Sequence, residues 1–195
     1  MGNIPIKLAA LHKHWCIADA VRVMVVTPLV NDSQRGRLVS RFGFEYAALG
    51  EFASMMMRMS VWYSLMYVVI EGYIELEEKY ELLDELLAQE EYVDHLRLFR
   101  NATFHYQENP ISEKLIGFLE KVDSEIWIKR VNKAFEQFFL LRLPIEESLS
   151  TLDKYAGNNR DSSGSVLLTA PKRARWWVMQ NPHSLLLKLI RSVKK

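Results

Sequence analysis

A single cysteine, Cys16, stands in the 195 residues, so no disulfide can form within the chain, and a reducing compartment, the cytoplasm, is expected. Charge of one sign is missing as well. The 25 lysines and arginines nearly balance 24 acids, for a formal net charge of +1, which argues against wholesale coating of nucleic acid but leaves room for a local basic site. Neither a glycine-rich phosphate loop, nor the Cys/His spacing of a zinc site, nor an internal repeat is present, and no cofactor is expected. A membrane span is not expected either: the longest apolar run, residues 52–70, contains Arg58 and the serines Ser54, Ser60 and Ser64, and reads as a buried helix. No basic region, apolar run and cleavage site open the sequence, and Ile6 stands where a myristoylation signal after Met1-Gly2 has serine or threonine.

What remains is the composition of an ordinary globular domain, 49% hydrophobic and 25% charged, and its periodicity is helical. Residues 6–26 read as a first helix, with Leu8, Leu11, Trp15, Ala18 and Val25 at helical spacing before Thr27-Pro28. His12 and Cys16, four apart, supply two metal ligands where a site needs more, and packing explains them better. Residues 31–43, with two glycines and three arginines, read as a connecting loop or a short interrupted helix; the arginines could contact phosphate. A long helix follows over 44–76, apolar on most of its faces, which implies enclosure by neighbours or by a second subunit. Residues 71–94 hold ten acids against one base, Lys79, and read as a solvated face that keeps helical spacing through Tyr80 and Leu83. A further helix is expected from about residue 90 to 105 or 106, and another from Ser112 to about Arg142. The all-α bundle so defined spans residues 1–156. A linker over 157–170, rich in Gly, Ser and Asn at its start, leads to a basic, aromatic segment, 171–195, with seven lysines and arginines, no acid and Trp176-Trp177. Docking on the bundle is the first reading of that segment; binding RNA or a membrane surface are the others.

One polar group breaks the apolar pattern. Leu98-Phe99-Arg100-Asn101-Ala102-Thr103-Phe104-His105-Tyr106 places an arginine, an amide and an imidazole at the end of a helix. Continued helically, Asn101 and His105 would lie above one another, while Arg100 and His105 would be about 140° apart and converge only through the length of arginine. A guanidinium that can grip a phosphate with two parallel bonds, and an imidazole that titrates near neutrality, are the parts of phosphodiester chemistry that needs no metal.

The stretch Arg100-Asn101-x-x-x-His105 resembles the signature of the HEPN family: an arginine, four to six residues, then a histidine, often with a polar residue directly after the arginine. Phe104 and Tyr106 beside the histidine, Asn109-Pro110 just beyond it, and a long apolar helix upstream add to the resemblance, which covers roughly residues 45–142. It implies a HEPN-like antiparallel helical bundle and a metal-independent endoribonuclease of the toxin or phage-defence kind. His105 would carry protons, Arg100 would hold the phosphate, and Asn101 would orient the scissile group or the imidazole. It implies a homodimer too, because one histidine per chain is a poor set for two proton transfers and a two-fold pairing supplies two. Two flanking residues are weaker candidates. Glu71 either accepts a bond from Arg100 or His105 or marks where the long helix reaches water, and Tyr106 adjoins the histidine. The competing class is a non-catalytic helical module, such as the partner of an antitoxin or nucleotidyltransferase.

Overall fold

A computed structural model describes residues 6–28, 30–109 and 112–144, and among them the chain is all-helical: seven helices and no strand. They are α1 (Ile6–Val25), α2 (Asp32–Phe42), α3 (Phe44–Glu75), α4 (Glu81–Leu87), α5 (Glu90–Phe104), α6 (Glu113–Glu120) and α7 (Ser124–Arg142). The end of the expected bundle, residues 145–156, the linker and the basic segment lie outside the described residues.

Helix α3 is the axis. Met59, Trp62, Tyr63, Met66, Val69, Ile70 and Tyr73 are buried along it, so over this stretch its many-sided apolarity is satisfied by the chain's own helices. By length and composition α3 could cross a membrane, yet half of its most apolar window is buried inside the bundle. Helix α1 runs antiparallel to it. Gly72 lets the two helices close, since a Cβ there would stand 2.9 Å from Leu11 Cδ1. At the other end Arg58 donates to the Met24 carbonyl and, at 2.6 Å, to that of Thr27, capping the last carbonyls of α1. The arginine that interrupts the apolar run thus has a partner at the helix end it faces.

Helix α5 is antiparallel to α3 on another side, with Phe99 against Tyr63 (ring centroids 5.7 Å apart). Phe118 of α6 meets Tyr63 edge-on at 5.4 Å, and Phe135 and Phe138 of α7 meet Tyr73 the same way. Phe99 and Phe118 are wholly buried, each contributing roughly 1.5–3 kcal/mol by leaving water. The Tyr73 hydroxyl, deep in this seam, donates to Asp84 Oδ1 (2.8 Å) and accepts from the Tyr80 amide (2.9 Å), pinning the start of α4. Trp127 Nε1 donates to the Leu86 carbonyl at 3.0 Å and ties α7 to the end of α4.

Three elements differ from the sequence reading. Residues 32–42 form an uninterrupted helix, because Asn31 and Gln34 make a reciprocal capping box of 2.8 and 3.0 Å bonds. The acid-rich region is not one helix: it breaks at residues 76–80, where Glu77 takes positive φ, and again at 88–89. The last long helix is also divided, by Lys121-Val122-Asp123, with Asp123 left-handed at φ 59° before α7 begins.

The N-terminal end of α3 is different in kind. Met55 is its first side chain in the shared core, with Phe52 packed beside it. The eight residues before Phe52 run about 12 Å further. Helix α2 lies back along this end, joined through Gly43 at φ 88° and by an Arg35–Glu51 ion pair of 3.0 Å, and α2 buries none of its own side chains. Together they make a helical hairpin at one end of the bundle.

Candidate functional site

The motif lies on the last turn of α5. Leu96, Phe99 and Ala102 bury the inner face of that helix, which turns Arg100 and Asn101 to its flank, where both are half-buried. Arg100 Nη1 donates to Asn101 Oδ1 at 3.0 Å, so the amide holds the guanidinium. Arg100 Nε is out of reach of water and has no hydrogen-bond partner among the described residues. Across the seam, the Tyr67 hydroxyl of α3 is shifted upward by burial first and then by Glu71, while Arg97 and Arg100 pull it down and Asp94 pushes it up. That cluster places the Arg100 charge on the α3–α5 seam.

His105 is not in the helix. It is the C-cap, extended at φ −114° and ψ 143°, with its amide bonded to the Asn101 carbonyl at 3.1 Å. The sequence reading carried the helix through it, and the reason for the stop is local: Gln107 Nε2 donates to the carbonyls of His105 (3.2 Å) and Tyr106 (3.0 Å), satisfying carbonyls that another helical turn would have used. The imidazole is exposed and has no hydrogen-bond or charge partner among the described residues. Tyr106 is 90% exposed, because the helix ends two residues before it.

Glu71 is exposed and bonds neither Arg100 nor His105. It lines a groove of about 340 Å³ between α1 and α3, with Lys7, His14 and Glu75. Tyr63 against Phe99 sets His105 level with about residue 57 of α3, so Glu71 is about 20 Å along the helix from the imidazole.

His12 and Cys16 form no catalytic pair, and Cys16 is exposed where the sequence reading had it packed. Cys16 Sγ is 3.4 Å from His12 Nε2, but burial and Asp19 push the thiol up while burial pushes the imidazole down, so both are neutral and the pair is no thiolate nucleophile. The His12 ring meets Phe139 edge-on at 4.9 Å. No group of three or more His, Cys, Asp or Glu among the described residues could hold a metal ion.

The chain matches no protein-family model, no curated protein and no solved structure. Residue roles are read from this geometry alone. Two residues with a part in it, Tyr67 and Gln107, went unnoticed in the sequence. Tyr67 is four before Glu71 on α3, a spacing visible beforehand; nothing marked Gln107, because its role exists only once the helix ends where it does.

Proposed function

We propose that the chain is a metal-independent endoribonuclease of the HEPN type, acting as a homodimer in the cytoplasm, in the manner of a toxin or phage-defence effector. One observation supports this most: a guanidinium oriented by Asn101 stands five residues before an exposed imidazole that serves no structural bond among the described residues. A histidine kept for structure is normally hydrogen-bonded, and an asparagine kept for helix structure bonds backbone; here the amide holds Arg100 instead.

In the proposed reaction the ribose 2′-oxygen attacks the adjacent phosphorus, and its proton passes to one neutral His105 imidazole. Arg100 neutralises charge on the phosphorane oxygens. The bond from phosphorus to the 5′-oxygen breaks, and that oxygen takes a proton from the second, protonated His105 of the dimer. The products are a 2′,3′-cyclic phosphate and a 5′-hydroxyl, and RNA is the required partner.

A substrate with a single 2′-deoxy nucleotide at the scissile position tests this in EDTA. Cleavage of the all-ribose strand with a cyclic phosphate end, and none of the deoxy strand, is expected. Loss of cleavage in EDTA, or scission of the deoxy strand, would contradict it. The second reading, a non-catalytic module that binds an antitoxin or nucleotidyltransferase, is favoured by the exposed apolar side chains around the α2–α3 hairpin, and intact RNA in this assay would leave it standing.

A further inference from the structure

Most of the molecule buries its large apolar side chains, but the α2–α3 hairpin does not. Leu38 and Phe42 on α2, and Phe44, Tyr46, Leu49 and Met57 on α3, are all exposed, Tyr46 to 65% and Met57 to 70%. Tyr46, Leu49, Ala53 and Met57 fall at spacings of three and four and so form one stripe on α3. Its foot, Met57, is level with His105 by the antiparallel packing of α3 on α5, and Phe104 is exposed there too. Monomers rarely leave a contiguous apolar surface of this extent open.

Charge tells which partner suits it. Among the described residues, Arg37 and Arg41 on α2 have no ion-pair partner, and neither do Asp32 and Glu45; Arg41 only lies over the Phe42 ring at 5.2 Å. Two unpaired cations and two unpaired anions thus lie on the hairpin that carries the apolar stripe. A partner of one sign, such as RNA or an anionic membrane, would meet as many repulsions as attractions. A second copy related by a two-fold axis presents the same patch reversed, so each copy's arginines can meet the other's acids while the apolar stripes cover one another.

We propose that the α2–α3 hairpin is the homodimer interface of this chain, each hairpin packing on that of a second copy. The interface rests on the exposed surface; only its use, bringing two His105 side chains to the same end of the assembly, rests on the nuclease reading.

The test is sedimentation of the full chain over about 1–100 µM, a range in which an interface of standard size is populated. A mass of twice 22.8 kDa is expected for the wild type. Tyr46→Glu with Leu49→Glu should weaken the dimer by about 100-fold or more, with the circular dichroism unchanged because both residues are exposed. Arg41→Glu should weaken it and Arg41→Glu with Glu45→Arg should restore it, which mere loss of folding would not do. Leu141→Glu, an exposed residue at the opposite end near Lys79, should leave it intact. A monomeric wild type, a dimer that survives Tyr46→Glu with Leu49→Glu, or a monomer that uses these residues to hold single-stranded RNA or anionic vesicles would each overturn the proposal. A dimer that leaves RNA intact would remove the nuclease reading and keep the interface; a dimer that cleaves RNA and survives Tyr46→Glu with Leu49→Glu would do the reverse.

Discussion

Arg100 is a poor choice if stability is its only purpose. Among the described residues its Nε is buried without a partner, an arrangement that costs about 1–3 kcal/mol, and its one side-chain bond is to its neighbour Asn101. Arg100→Met should therefore leave the melting temperature unchanged or raise it by about 2–4 °C per kcal/mol recovered, while cleavage disappears. A fall of 5 °C or so in thermal melting would assign the arginine to the fold instead. Tyr73 is the opposite case. Burial first, then its bond to Asp84 and the Asp84 charge, push its hydroxyl far upward, and the same oxygen accepts from the Tyr80 amide. Tyr73→Phe should cost about 1–3 kcal/mol, read by denaturant unfolding, with no effect on RNA cleavage at the far end of α3. The sequence showed that Arg100 lies off the buried face, since residues 96 and 99 define that face by spacing. It did not show that His105 leaves the helix, because that depends on a local bond nothing in the sequence marks, the Gln107 amide folding back on the carbonyls of His105 and Tyr106.

Helix positions were legible where one periodic signal ran without competition, as in α1 and α3, whose ends fall within a residue of their expected places. The failures were all at breaks. Around α2 the two glycines read as a loop or a short interrupted helix, whereas Asn31 and Gln34 act as a cap that starts an uninterrupted one. The division of α6 from α7 was hidden because the apolar spacing continues across it, and only the left-handed Asp123 interrupts the backbone. Between elements the informative contact is polar. Trp15 Nε1 donates to Asn132 Oδ1 (3.2 Å), and Asn132 Nδ2 donates to Asp19 Oδ1 (3.1 Å), which Arg22 also holds at 2.6 Å. Burial would push the Asp19 carboxyl up, but the bonds from Arg22 and Asn132 and the Arg22 charge outweigh it and leave it below its usual value. A depressed carboxyl stabilises the fold above its unfolded pKa of about 4 and stops doing so as pH falls through its lower folded value. The difference in melting temperature between wild type and Asp19→Asn should accordingly be largest near neutral pH and shrink below about pH 4; a constant difference would show that the α1–α7 network does not depend on the charge.

At the scale of the whole molecule, α3 has two roles. From Met59 to Tyr73 it is enclosed by α1, α5, α6 and α7, and its apolarity needs no second subunit; towards its N-terminus, from Met57 back, it carries the unburied stripe. The sequence alone could not separate these, since both halves are apolar and only the packing of the other helices tells which is covered. If two copies meet on the hairpin to complete one site, specific activity should fall on dilution below the dimer dissociation constant, and adding catalytically silent His105→Ala chains should depress rather than restore it. The most direct measurement is the initial rate of RNA cleavage in EDTA by wild type, Arg100→Ala and His105→Ala at equal dimer occupancy. Each variant is expected to be slower by about 10²–10⁴-fold, with Arg100→Lys recovering little because it keeps the charge and loses the two-pronged grip. Equal rates for wild type and His105→Ala would contradict the account.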